Sequence, residues 1–155
     1  MSSEMNTEFG SKAEKAVHYY ENGFNCSQAV FTTYATEEGI PEELALKIAT
    51  QFGGGSRKGE VCGAVSGALM VLGLKRGHYH WNAPEEKGNA YKTAEEFMDR
   101  FIEKNGTVVC RELLGYDLTK PDELEKIREL NLFRTTCPEM VRRAVDILEE
   151  MLNDC

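Results

Sequence analysis

Residues 61–74 read VCGAVSGALMVLGL, fourteen positions without a charge and interrupted only by Gly63, Gly67 and Gly73. The run is apolar on every side, which is the pattern of a helix buried all round. It is too short to cross a hydrocarbon layer, which takes about 20 residues, so the reading is a central helix in a protein core. Each glycine costs roughly 1 kcal/mol against alanine inside a helix. The pairs Gly63/Gly67 and Ala64/Ala68 therefore predict close contact with a neighbouring helix.

Working toward the amino end, the period stays helical. Leu44, Ala45, Ile48, Ala49 and Phe52 form a stripe expected to be buried, with Pro41 suited to the first turn. Before it, Asn25 can cap a helix whose Cys26, Ala29, Val30, Thr33 and Tyr34 share a face and which Gly39 ends. Earlier still, Ser11 and Glu14 have capping-box spacing, and Ala13, Ala16, Val17 and Tyr20 recur until Asn22-Gly23. Residues 1–10 are polar without a period and read as a loose tail.

Toward the carboxyl end, RGHYHWNAPEEKGN reads as a surface loop. A helix with Tyr91, Ala94, Phe97, Met98, Phe101 and Ile102 on one stripe then runs to Asn105-Gly106. A short helical piece holds Cys110, Leu113 and Leu114 and closes at Gly115. Leu124, Ile127 and Leu130 mark another helix. Val141, Ala144, Val145, Leu148, Met151 and Leu152 mark the last, expected to start at Cys137-Pro138. No alternating pattern competes. The expectation is an all-α single domain over residues 11–155, a bundle of about seven helices around the buried Val61–Leu74 helix.

Composition narrows the partners. The 155 residues carry 26 acidic and 18 basic side chains, a net charge of −8, which repels a phosphate backbone and excludes nucleic acid as the expected ligand. The start, MSSEMNTEFG, has no basic patch followed by an apolar stretch, which points to a cytoplasmic protein. In a reducing compartment thiols bind metal or do redox chemistry more often than they form lasting disulfides.

Five cysteines are present: Cys26, Cys62, Cys110, Cys137 and Cys155. Cys26, Cys62 and Cys137 fall in the first turn of expected helices, where free N–H groups and the helix dipole favour a thiolate. Cys110 is placed inside a short helix. All four inner cysteines lie on core-facing stripes, so their convergence on one thiol pocket stands against a plain alternative, that each packs as a small hydrophobe. No C-x-x-C pair exists, which removes the signatures of zinc ribbons, thioredoxin-type dithiols and covalent haem. Any site must be assembled by the fold.

Taken together, GFNCSQAV (23–30), FGGGSRKGEVCGAVSGALMVLGL (52–74), the lone Cys110 before ELLG and the lone Cys137 before the last helix resemble the C_GCAxxG_C_C family of redox-active proteins. The resemblance runs from about Ala13 to Leu152, and its centre is Cys62-Gly63-Ala64-Val65-Ser66-Gly67. It implies Cys26, Cys62, Cys110 and Cys137 as the signature residues, and Cys155 as incidental. The family is similar in part to split-Soret cytochromes, in which haem accompanies an iron–sulfur centre. Without a C-x-x-C-H signature only the cluster could carry over, and no covalent haem is expected. The same likeness suggests a homodimer and, from neighbouring genes, a membrane transporter component as partner.

Three functions follow as expectations. The first is electron transfer or redox sensing through an iron–sulfur cluster on Cys26, Cys62, Cys110 and Cys137, with Gly54, Gly55 and Gly63 leaving backbone amides free for its sulfurs. The second is metal-free thiol–disulfide chemistry by pairs of the same cysteines. The third is a non-catalytic partner module with structural cysteines. Whether the chain is an oxidoreductase enzyme is left open, and the redox partner is unnamed. GGGSRKG lacks phosphate-loop spacing. His78 and His80 read as a solvated loop pair, and His18 as a structural histidine.

Overall fold

The computed structural model describes residues 9–153, so the first eight residues of the polar start and Cys155 lie outside the described residues. Eight α-helices follow one another: α1 Lys12–Glu21, α2 Cys26–Ala35, α3 Glu42–Ala49, α4 Gly63–Arg76, α5 Pro84–Asn105, α6 Cys110–Leu114, α7 Pro121–Glu129 and α8 Leu132–Leu152. Among the described residues there is no strand, only one antiparallel bridge between Val61 and Val109. The fold is all-α, with one helix more than the period suggested.

Local signals set most of the ends. Ser11 Oγ accepts the Glu14 amide at 3.1 Å, while the Glu14 carboxylate reaches Gly10 N instead of closing the box on Ser11. Asn25 and Gln28 do form a reciprocal box at the start of α2, each side chain accepting the other's backbone N–H at 2.9 Å. Gly106 and Gly115 end α5 and α6 in the left-handed conformation that glycine adopts without strain.

The centre of the bundle differs from expectation. In α2 nine of ten residues are buried, against seven of fourteen in α4, so α2 is the enclosed helix and α4 its closest neighbour. Helices α1, α3 and α8 also pack on α2. The α2–α4 contact is as tight as the glycines imply: a Cβ built on Gly67 would stand 2.8 Å from the Ser27 carbonyl oxygen, and one on Gly63 3.1 Å from Ser27 N.

Several stripes are wider than the contact they serve. On α3 only Ala45 and Ala49 are fully buried. Leu44, Ile48 and Phe52 are 49%, 45% and 39% exposed, contrary to the expected buried stripe, because the two alanines alone let α3 approach α2. Tyr91, Ile102 and Leu130 are likewise exposed, while Phe97, Phe101 and Ile127 carry the burial on α5 and α7. The loop after α4 covers only residues 77–83, since Pro84 at the first turn starts α5 there. Helix α8 begins six residues before Pro138, passing through it, so Cys137 is well inside the helix and not at its first turn.

The apolar interior divides in two. The main cluster joins α1–α5 and α8, and a smaller one is built from Cys110, Leu114, Leu118 and Ile127. Cys137 packs against both.

Candidate functional site: four thiols around one cavity

Each cysteine is positioned by a different piece of backbone. Cys26 opens α2 directly after its Asn25 cap. Cys62 is the N-cap residue of α4. Cys110 opens α6, which corrects the expectation that it lies inside its helix. Cys137 projects from α8.

The Val61–Val109 bridge draws two of them together, with the Cys62 amide donating to the Val108 carbonyl at 2.7 Å and the Cys110 amide donating to the Glu60 carbonyl. Close packing at Gly63 brings in the third, since a Cβ there would lie 3.2 Å from the Cys26 Cβ. All four inner cysteines line a single cavity of about 430 Å³, at the seam between the two apolar clusters. All four are free thiols.

The glycines singled out from the sequence belong to this cavity. Gly54 and Gly63 line it, and Gly55 is buried beside it, where a Cβ would meet Cys110 Cβ at 2.9 Å and Glu60 N at 2.3 Å. A feature the sequence did not announce adjoins them. Gly54, Gly55, Ser56 and Arg57 all have left-handed φ, at 64°, 63°, 56° and 65°. Two of the four carry side chains, and such backbone costs of order 1–2 kcal/mol per residue. The Glu60 amide closes this turn on the Gly55 carbonyl at 3.0 Å, and Arg111 pins it to α6 by donating to the Gly59 carbonyl at 3.1 Å.

The electrostatics reverse the helix-terminus expectation. Burial dominates at Cys62: the Ala64 and Val65 amides favour its thiolate, yet its pKa is pushed up to about 11. Cys110 is pushed up to about 12, again by burial and then by Cys62 and Cys137, although Arg57 pulls the other way. Cys26 is raised by its interaction with Cys137 and by burial. Cys137 alone is lowered, because the Cys26 thiol and the Tyr20 hydroxyl both favour its thiolate, and that effect exceeds its burial. The single proton of the Tyr20 hydroxyl is directed to the Phe133 carbonyl at 2.7 Å, so the Cys26 interaction is the leading cause at Cys137. The one thiol whose pKa is lowered is thus the one farthest from a helix start.

The histidines stand apart. His78 and His80 are exposed in the loop after α4, where His80 pairs with Glu86 at 2.9 Å. His18 is half-buried and packs its ring on Phe9, at 5.0 Å between centroids. No group of three or more Cys, His, Asp or Glu among the described residues stands close enough to hold one metal ion. The thiols surround a space and do not converge on a point. No helix among the described residues is long and apolar enough to cross a membrane.

Fold and site together define an all-α protein built around a four-thiol cavity. A family described as "Putative redox-active protein (C_GCAxxG_C_C)" matches residues 24–151, and the chain belongs to that family. No curated protein and no solved structure matches it significantly.

Proposed function

We propose that the protein is an electron-transfer or redox-sensing protein whose four cysteines hold an iron–sulfur cluster. The observation that carries this is the common cavity: four cysteines, successive ones 27 to 48 residues apart along the chain, line one space of about 430 Å³. Cysteines that merely filled the core would leave no such space between them. The donor set fits the group. Soft thiolates select iron–sulfur clusters, and a cluster has extent of its own, so donors spread around a cavity suit it where a single ion has no site.

Charge supports the same reading. Cys62 and Cys137 each raise Cys110 when ionised, and Cys110 and Cys62 each raise Cys26. Four thiolates in this cavity therefore require positive charge among them, which iron supplies. When bound, the cluster would provide one-electron capacity. Cys26, Cys62, Cys110 and Cys137 would hold it, and Gly54, Gly55 and Gly63 keep side chains out of its way. Protein purified without oxygen is expected to contain iron and acid-labile sulfide and to absorb in the visible, and each Cys→Ser variant to lose most of both. Absence of iron, sulfide and absorbance from the unaltered protein overturns the reading.

A second reading draws on the polarised pair. The Cys137 thiolate attacks one sulfur of a substrate disulfide, forming a mixed disulfide and expelling the other sulfur as thiolate. Cys26, its proton passing to the expelled thiolate, then attacks the Cys137 sulfur and releases the second substrate sulfur as thiolate. Two electrons pass to the substrate, leaving a Cys26–Cys137 disulfide. Mass spectrometry after mild oxidation is expected to find that disulfide, and its absence removes this reading.

A further inference from the structure

The charged side chains around the thiol cavity are of one sign. Arg57 and Arg128 line it and no Asp or Glu does, in a chain where acidic residues outnumber basic ones 26 to 18. Both arginines are exposed, which places their side chains where the cavity meets solvent. Several other arginines are engaged, Arg111 with Glu60, Arg143 with Glu139, and Arg100 with Glu96 and Glu150, while Arg134 and Arg142, which among the described residues have no carboxylate partner, do not line the cavity. Among the described residues Arg57 and Arg128 have no carboxylate partner. The side-chain hydrogen bond of Arg57 is a long one, 3.4 Å to the Gly53 carbonyl. Asp117, the acidic group felt at Cys110, is turned onto its own loop, accepting from Thr119 N at 2.9 Å and from Thr119 Oγ1.

The place of Arg57 is also structurally costly. It sits at φ 65° in the left-handed turn, and its guanidinium folds back over Gly54, where a Cβ would lie 2.5 Å from its Nη1. Strain of this kind persists where surrounding structure enforces it, and it collects at ligand clamps. A guanidinium matches the two oxygens of a carboxylate or oxyanion.

We propose that the mouth of the cavity is an anion-binding site, with Arg57 and Arg128 as its cationic contacts, admitting a small carboxylate or oxyanion to the thiols. This rests on the reading that the cavity is where the protein's chemistry takes place, and it adds the charge class of what enters.

The test uses two reagents of nearly one shape, iodoacetate and iodoacetamide, on metal-free reduced full-length protein, with the rate of Cys137 modification followed by mass spectrometry. The ratio of the two rates cancels any change in thiolate fraction and reports the field met by an anion. Replacing both arginines (Arg57→Gln with Arg128→Gln) is expected to lower the iodoacetate-to-iodoacetamide ratio about tenfold. Lys58→Gln, an exposed cation outside the cavity lining, is expected to leave it unchanged, and Arg57→Lys to keep part of it. Malonate and sulfate as protecting anions separate carboxylate from oxyanion preference. An equal ratio in the unaltered and doubly substituted proteins overturns the proposal. Iron analysis is independent of this ratio: a protein without iron that keeps the charge preference loses the cluster and retains the anion site, and the converse result removes the anion site alone.

Discussion

Gly63 lies against Cys26 so closely that a β-carbon on it would stand 3.2 Å from the Cys26 Cβ. The contact that joins α2 to α4 is therefore also a wall of the thiol site. Filling it strains both. Gly63→Ala is expected to cost about 1–3 kcal/mol by overpacking and to reduce iron retention. Gly67→Ala, five residues beyond Cys62 and outside the cavity lining, where the Cβ would meet the Ser27 carbonyl oxygen at 2.8 Å and no cysteine atom, is expected to cost a similar amount with iron content per folded molecule preserved. Denaturation midpoints and metal analysis together check the distinction.

Metal-free protein near pH 8 should be alkylated first at Cys137, since in it alone among the four the interactions that favour the thiolate outweigh burial. Cys26→Ala removes the leading cause of that preference and is expected to slow Cys137 modification severalfold. Peptide mapping after brief iodoacetamide treatment gives the order, and first modification at Cys62 or Cys110 would contradict it.

Stability of the metal-free protein should depend on alkaline pH through Cys62 and Cys110. Both are held as neutral thiols when folded, with pKa values pushed up from 9.0 to about 11 and about 12, whereas the unfolded chain releases those protons near the ordinary value. Stability is therefore complete below about pH 9 and falls as pH rises toward 11–12. Urea midpoints across this range are expected to decline, and the double variant Cys62→Ala with Cys110→Ala to decline less steeply.

Ser56 is exposed and left-handed at φ 56°. Ser56→Gly relieves backbone strain and offsets the usual entropic cost of glycine, so the expected change lies between zero and about 1 kcal/mol of stabilisation. A loss of stability in thermal melts would show that the turn is not under strain.

Buried hydroxyls offer another check. Ser27 Oγ has no hydrogen-bond partner in the α2–α4 contact, and an unpaired buried hydroxyl costs about 1–3 kcal/mol. Ser27→Ala is expected to leave stability unchanged or to raise it, as read by chemical denaturation.

The sequence carried the helices well because their signals are local. The Asn25–Gln28 box and the glycines at 106 and 115 act within a few residues. It also named the four thiols, because each lies on an apolar face. Depth was illegible: Leu44 and Phe97 look alike in an apolar stripe, yet one is 49% exposed and the other fully buried, since that depends on which helix arrives opposite. Helix-end amides, expected to favour thiolates at Cys26, Cys62 and Cys137, are a short-range effect, and at Cys62 burial outweighs them. Helix α8 runs through Pro138, where a local rule suggests a start. The left-handed turn gave no sign at Ser56 and Arg57, and arises from the closure of the chain between α3 and α4.

The seam on which the cavity sits has a dynamic consequence. One wall belongs to the large core and the other to the small cluster of Cys110, Leu114, Leu118 and Ile127, which has too few buried side chains to be rigid by itself. Whatever fills the space ties the two together, so α6 and α7 should behave as a latch whose amide hydrogen exchange slows on loading, while the interior of α2 hardly changes. Occupancy would then be visible to a partner as the closing of that latch, without any rearrangement of the bundle behind it.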